Sequence, residues 1–338
     1  MSHISWLASA IIGAVAILPT SGSPVARADS PLIFEGKIPL GEVQGRIDHL
    51  AIDLSRHHMF VAELGNDSLG VVDIAAGVVL RRIDGLGKPQ GVGYSRPHDL
   101  VSVASASTGD LLLFRGDTFA SVGAIPLGTD ADNVRIDPSD GTVYVGYGSG
   151  AIAAIDPSRP AKLAEIPLSA HPEGFQLDPD STRVFVNVPE AHKIVEADRT
   201  TMRAVSAWTL PNLEANFPMA LDDIAGEIIA VFRQPARLVS ISEEDGKVRA
   251  EIETCDDADD VFVDQRRKRV YLICGSGFID VFHRSPSCCR STGGPRSRPS
   301  TEAGSACHSG PANAAPGPTI TGATAPPLCS PPSRAYRS

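Results

Sequence analysis

The sequence predicts an all-β fold, a β-propeller, on three observations. A unit returns six times, with starts near residues 45, 87, 128, 169, 212 and 256, at spacings of 41 to 44 residues. Each unit alternates short apolar strands with turns rich in Asp, Pro and Gly. The clearest copies superimpose along their length: GRIDHLAIDLSRHHMFVAELGNDSLGVVDI from Gly45, DADNVRIDPSDGTVYVGYGSGAIAAIDP from Asp130 and HPEGFQLDPDSTRVFVNVPEAHKIVEAD from His171. A period near 42 residues is that of a four-stranded blade.

The chain of 338 residues divides into three parts. Residues 1–28 read as a secretory signal peptide: an apolar run from Ile4 to Leu18, then Pro19, Gly22 and the small-residue site Ala26-Arg27-Ala28. The run is too short for a membrane span of about 20 residues. Cleavage before Asp29 leaves no stable membrane segment and predicts a periplasmic or secreted protein. Residues 29–284 hold the six repeats. Residues 285–338 are rich in Pro, Ser and Gly, carry one acidic residue, Glu302, and lack alternation, so a disordered tail is expected. The break falls where repeat six should continue into its outer strand, as a change of reading frame would leave it.

Ahead of the first repeat, Ile33 to Leu40 (IFEGKIPL) is similar to the GAIPL and AEIPL segments that end repeats two and three. It therefore reads as an outer strand that closes the ring from the N-terminal side. Together these features predict a propeller of seven-blade design, with six legible four-stranded repeats and a last blade truncated or replaced. Such a ring would keep an open, aggregation-prone edge.

The Thr142-Val143-Tyr144-Val145-Gly146 and Arg183-Val184-Phe185-Val186-Asn187 segments each follow an Asp-Pro turn; Val270-Tyr271-Leu272-Ile273 matches them less well. On these residues the region from Pro31 to Phe282 resembles the exported YVTN-type seven-bladed propellers, also described as 40-residue or surface-layer-like repeat proteins. The resemblance implies a binding platform rather than a particular activity. A second likeness, to lactone-hydrolysing propellers with a metal in the central channel, rests on architecture and acidic rim residues alone.

Charge narrows the ligand class. Between Asp29 and Arg284 there are 39 acidic and 24 basic residues. That balance disfavours nucleic acid and anionic lipid and favours cations, cationic small molecules or a protein partner with a basic surface. Cys255 and Cys274 lie in the repeats; the other four cysteines lie in the tail. An oxidising compartment permits a Cys255–Cys274 disulfide, but the sequence does not fix their separation.

Candidate site residues follow from register. The residues closing the first strands are Asp53, Ser95, Asp137, Asp178, Asp222 and Asp264. Five positions earlier stand Asp48, Gln90, Asp132, Glu173, Phe217 and Asp259, followed by His49, Gly91, Asn133, Gly174, Pro218 and Asp260. Two positions before the first of these columns stand Arg46, Lys88, Asp130, His171, Ala215 and Asp257.

First strands line the channel, so carboxylates from four blades should meet at one funnel mouth. Asp48, His49, Asp132, Asn133, Glu173, Asp259 and Asp260 are metal candidates. Their oxygens suit Ca²⁺, Mg²⁺ or Mn²⁺, and imidazole admits Zn²⁺. The same residue types also serve as turn and strand-end hydrogen-bonders. Gln90, Tyr147, His171, Asn187, Asn216 and Arg233 are candidates for contacting a ligand, and Arg233 for neutralising Asp259. His49 with Glu63 would make an acid–base couple.

No Gly-rich phosphate loop and no G-x-S-x-G elbow occurs. The leading expectation is a monomeric binding or scaffolding propeller. A metal-dependent lactonase-like hydrolase using the same funnel, and a cell-surface interaction module without a small-molecule site, are the alternatives.

Overall fold

The computed structural model describes residues 31–284 and 333–337. They form six four-stranded antiparallel sheets, each an up-and-down meander in chain order. Blade one is β1 (Leu50–Asp53), β2 (His58–Glu63), β3 (Ser68–Asp73) and β4 (Val78–Asp84). Blade two is β5 (Pro89–Ser95), β6 (Leu100–Ser105), β7 (Asp110–Arg115) and β8 (Ser121–Pro126). Blade three is β9 (Ala131–Ile136), β10 (Val143–Tyr147), β11 (Ala151–Asp156) and β12 (Ala161–Pro167). Blade four is β13 (Phe175–Leu177), β14 (Arg183–Val188), β15 (Lys193–Asp198) and β16 (Arg203–Trp208). Blade five is β17 (Glu214–Asp222), β18 (Glu227–Gln234), β19 (Ala236–Ser242) and β20 (Val248–Glu253). Blade six is β21 (Ala258–Asp264), β22 (Arg269–Cys274), β23 (Phe278–His283) and β24 (Ser333–Arg337).

The propeller thus has six blades, which corrects the seven-blade expectation. Among the described residues inner strands occur six times. Ile33 to Leu40 forms no ladder in spite of its outer-strand sequence. Within residues 31–40 two carbonyls are met by side chains instead: Pro31 O accepts from Arg269 Nη1 at 2.8 Å and Leu40 O from Arg82 Nη2 at 2.6 Å. The segment so runs from blade six to blade one as an irregular strap. The outer place in blade six belongs to β24, paired antiparallel with β23. Expected disorder therefore does not extend to Ser333–Arg337: β23 would otherwise present an unpaired row of backbone groups. The rest of the tail and the signal-peptide reading lie outside the described residues. Cys255 and Cys274 are joined in a disulfide, with Cα atoms 6.2 Å apart.

Strand alternation explains where the core sits. Along an inner strand one set of side chains faces the preceding blade and the other the following one. Five apolar clusters result, each spanning one boundary. Phe60 and Val103 share the cluster between blades one and two, and Leu113 and Val145 that between two and three. Ile152 and Val186 join blades three and four, Phe185 and Ile228 four and five, and Val231 and Leu272 five and six.

Among the described residues no such cluster joins blade six to blade one. The position three before each register aspartate or serine faces backward, and there Val92, Val134, Phe175, Met219 and Val261 are 5 % exposed or less. Leu50, the blade-one equivalent, is 49 % exposed. The forward-facing Phe262 of blade six is 51 % exposed. Innermost strands pack side by side from β1 through β5, β9, β13 and β17 to β21, but β21 does not pack on β1 in this way. Among the described residues the ring carries a seam without apolar packing.

The lower face, where first strands end, is held by polar links. Asp53, Asp137 and Asp178 each accept a backbone N–H two residues on, which closes the turn. Arg56, Arg199 and Arg183 then cross to the neighbouring blades, binding Asp99, Asp137 and Glu243 respectively.

Candidate functional site

At the upper end of every inner strand the ladder slips by one residue. In β5, β9, β17 and β21 the slip falls at Gln90–Gly91, Asp132–Asn133, Phe217–Pro218 and Asp259. Blades one and four repeat the pattern just ahead of their strands. Asp48 N donates to Ala62 O while Ala62 N donates to His49 O. Likewise Glu173 N donates to Asn187 O, and Asn187 N to Gly174 O. A bulge puts two residues opposite one and re-aims a side chain. Here one device, used six times, carries the whole candidate column. It also demands close approach: a Cβ on Gly91 would stand 2.0 Å from Asp132 O.

The column residues differ in how far their charge is already met. Arg46 Nη2 donates to Asp48 at 2.8 Å, and His49 Nε2 stands 3.9 Å from the same carboxylate. Burial pushes the Asp48 carboxyl above its usual range, and nearby Asp132 adds to this, against the pull of His49 and Arg46. Arg233 binds Ala258 O at 2.7 Å and Asp259 at 3.3 Å, with its guanidinium 4.3 Å above the Phe217 ring. Burial nonetheless raises Asp259 and, still more deeply placed, Asp260. The Asp260 carboxylate also accepts from Val261 N at 2.8 Å.

Asp132, His171 and Glu173 form the centre of the site. One ligand atom from each lies within 4.8 Å of the others. His171 Nε2 is 3.8 Å from Asp132 and its Nδ1 3.9 Å from Asp130. Among the described residues neither Asp132 nor Glu173 pairs with an arginine or lysine. Burial, then repulsion from Asp132, pushes Glu173 up to about 7. The Asp132 carboxylate is the main cause that lifts His171 to about 9.

Arg135 lies three residues along β9 from Asp132, its guanidinium 5.5 Å from the Phe175 ring and bonded to Val134 O. It has no ion pair among the described residues, and burial lowers its pKa. The candidate columns did not include it. The signal was available: its column reads Ala51, Gly93, Arg135, Gln176, Ala220 and Phe262, in which it is the one cation.

The remaining candidates fall apart spatially. Glu63 does not couple to His49. It is fully buried and accepts from Arg82 Nε at 2.7 Å, Arg82 Nη2 at 3.0 Å and Ser68 Oγ at 2.5 Å. Tyr147 turns outward to Glu165 on β12, with Lys162 5.7 Å from its ring. Asn187 and Asn216 are buried struts: Asn187 Nδ2 donates to Phe217 O at 3.0 Å, and Asn216 Nδ2 to Asn187 Oδ1 at 2.9 Å. Asn133 is buried at the β9 bulge, and Gln90 is half-buried at the β5 bulge. A second cluster, Cys255, Asp257 and Cys274, offers no thiolate because its cysteines are disulfide-bonded.

No protein-family model and no curated protein matches this chain. Solved structures do. Hydrazine synthase of Kuenenia stuttgartiensis is similar with a TM-score of 0.64 at 15 % identity, over 76 % of this chain and 79 % of that one. A chain of the mitotic checkpoint complex is similar with a TM-score of 0.62 at 12 % identity, over 82 % and 86 %. At such identities the likeness is one of fold, and the fold is a β-propeller. Among the described residues no helix is long and apolar enough to cross a membrane.

Proposed function

We propose that this chain is an exported binding propeller of YVTN type whose acidic channel mouth takes up a cationic group, from a small organic cation or a basic protein segment. One observation carries the reading. Bulges on different blades aim carboxylates at a common mouth, and among the described residues two of these, Asp132 and Glu173, are bonded to no arginine or lysine. Carboxylates held out of bulk water without an arginine or lysine bonded to them repel anions and favour an incoming positive charge. A propeller fold, shared with a chain of the mitotic checkpoint complex, is consistent with a platform role. The lactonase-like alternative loses one of its two candidate bases, because Glu63 is committed to Arg82.

Export is supported by the Ala26-Arg27-Ala28 site and by a disulfide that oxidising compartments permit. Cell fractionation tests it: chain retained in the cytoplasm at full length would overturn export.

A labelled tetralysine peptide, followed by fluorescence anisotropy at low salt, tests the mouth. Binding should weaken at least tenfold in Glu173→Gln and fade as salt rises. A tetraglutamate peptide should not bind. Equal affinity of parent and variant would sink the reading.

A further inference from the structure

The imidazole of His171 is held in one orientation. Its Nδ1 lies 2.6 Å from the carbonyl oxygen of Gly148, which can only accept, so Nδ1 carries the hydrogen. That carbonyl is itself fixed. Gly148 sits at φ +62, a conformation glycine adopts freely, and its N–H donates to Thr129 O at 2.9 Å and to Asp130 O at 3.2 Å. Nε2 is the ring atom left to coordinate an ion, which would displace its proton, and it faces a carboxylate.

Asp132 is the second, independent sign. Its side chain is nine-tenths buried on the β9 bulge. Among the described residues it accepts no hydrogen bond within 3.5 Å; the nearest basic atom is Nε2 of His171 at 3.8 Å. Glu173 completes the group on the adjoining blade. A buried carboxylate, a second carboxylate and the imidazole Nε2 converge on one point, and among the described residues no arginine or lysine is bonded to either carboxylate. Imidazoles that bind metals commonly donate their other N–H to a carbonyl, and His171 already does so.

We propose that Asp132, His171 and Glu173 form a site for one divalent transition-metal ion of the zinc or manganese class. It rests on the reading of the mouth as cation-binding and names the cation. One imidazole and two carboxylates suit ions of intermediate softness better than calcium, which takes six to eight oxygens. Ligand bonds of about 2.0–2.2 Å place donor atoms at most roughly 4.4 Å apart. Closing from 4.8 Å therefore takes a side-chain adjustment of less than an ångström. The protein supplies three ligands and leaves the remaining positions to water or to a ligand entering the channel. Asp48, near Asp132, is bonded to Arg46 and stays outside the set.

The full chain, stripped with chelator and dialysed, should be titrated calorimetrically with ZnCl₂ and, separately, MnCl₂. One equivalent should bind, with calcium at least tenfold weaker. His171→Ala and Glu173→Gln should each weaken metal binding at least tenfold. X-ray absorption of the zinc-loaded protein should register one nitrogen ligand that disappears in His171→Ala. Melting curves identify a variant that fails to fold; should His171→Ala do so, Glu173→Gln carries the test.

Absence of stoichiometric binding, or affinity unmoved by either folded variant, overturns the metal site. Tetralysine binding measured on the same samples separates the two readings. If the peptide binds and the metal does not, only the metal site falls; if neither binds, the mouth reading falls with it.

Discussion

Arg56 grips Asp99 across the boundary between blades one and two with two parallel hydrogen bonds, of 2.7 and 2.8 Å. The same guanidinium donates to Asp53 at 2.8 Å and to the Tyr94 hydroxyl at 3.1 Å. One side chain thus closes a turn and joins two blades, using the planar fork that lysine lacks.

Arg56→Ala leaves Asp53 buried with only Ser55 and local backbone donors. It should destabilise the fold by about 1–3 kcal/mol. Arg56→Lys should recover less than half of that, because a point charge cannot make both bonds to Asp99. Urea unfolding measures both; full rescue by lysine would refute the two-pronged account.

Acid should act on the same corner. Burial alone would raise the Asp53 pKa, but hydrogen bonds from Ser55 and Arg56 outweigh it and hold the carboxyl at about 2. The folded value lies below the ordinary one of about 3.9, so the unfolded chain takes up the proton first. Stability from Asp53 is therefore complete above pH 4 and lost as pH falls toward 2. Between pH 5 and pH 2.5 the parent should lose about 1–2 kcal/mol more than Asp53→Asn. Identical losses would remove Asp53 from the acid response.

Packing at the seam should matter far less than packing at a joined boundary. Phe175, fully buried between blades three and four, should cost about 3–5 kcal/mol on truncation to Ala. Phe262→Ser and Leu50→Ser remove side chains that are half in solvent and should each cost no more than about 1 kcal/mol. Equal destabilisation by Phe175→Ala and Phe262→Ser would mean that blade six does pack on blade one in solution.

The disulfide closes a loop with a sequence separation of 19 inside blade six. Reduction, or Cys255→Ser with Cys274→Ser, should lower stability by about 2–3 kcal/mol through the greater freedom of the unfolded chain. Melting with and without reductant measures it, and an unchanged midpoint would show the bond to be absent or inconsequential.

The repeat was legible because Asp-Pro turns and strand alternation are local properties, written within each 42-residue unit. Blade number was less so. Ile33 to Leu40 has the letters of an outer strand, but whether a strand finds an edge depends on partners far along the chain, and β24 holds that edge. The site was half legible. Equivalent spacing placed Asp48, Asp132, Glu173 and Asp259 at one height because the bulge recurs in every blade. The sequence offered Arg233 for Asp259, but spacing could not tell that Asp132 and Glu173 keep no such partner among the described residues. Asp48 meets Arg46 two residues away, and Asp259 meets Arg233 from another blade, so Asp132 and Glu173 stand apart only in three dimensions. Glu63 misled for a similar reason: its partner Arg82 lies on β4, and Gly70 leaves the carboxylate room by lacking the Cβ that would meet it at 2.6 Å.

Mechanically, a circle that among its described residues is packed at five joints out of six is a split washer. Displacement of an interior blade is opposed by apolar packing from both sides, whereas among the described residues blades one and six have such packing on one side and the N-terminal strap on the other. In such an array the free energy of local opening is lowest at the two ends and highest midway. Blades three and four occupy that midpoint, and they are the ones that hold Asp132, His171 and Glu173. The chemistry is seated in the stiffest part of the washer, as far as the chain allows from its gap.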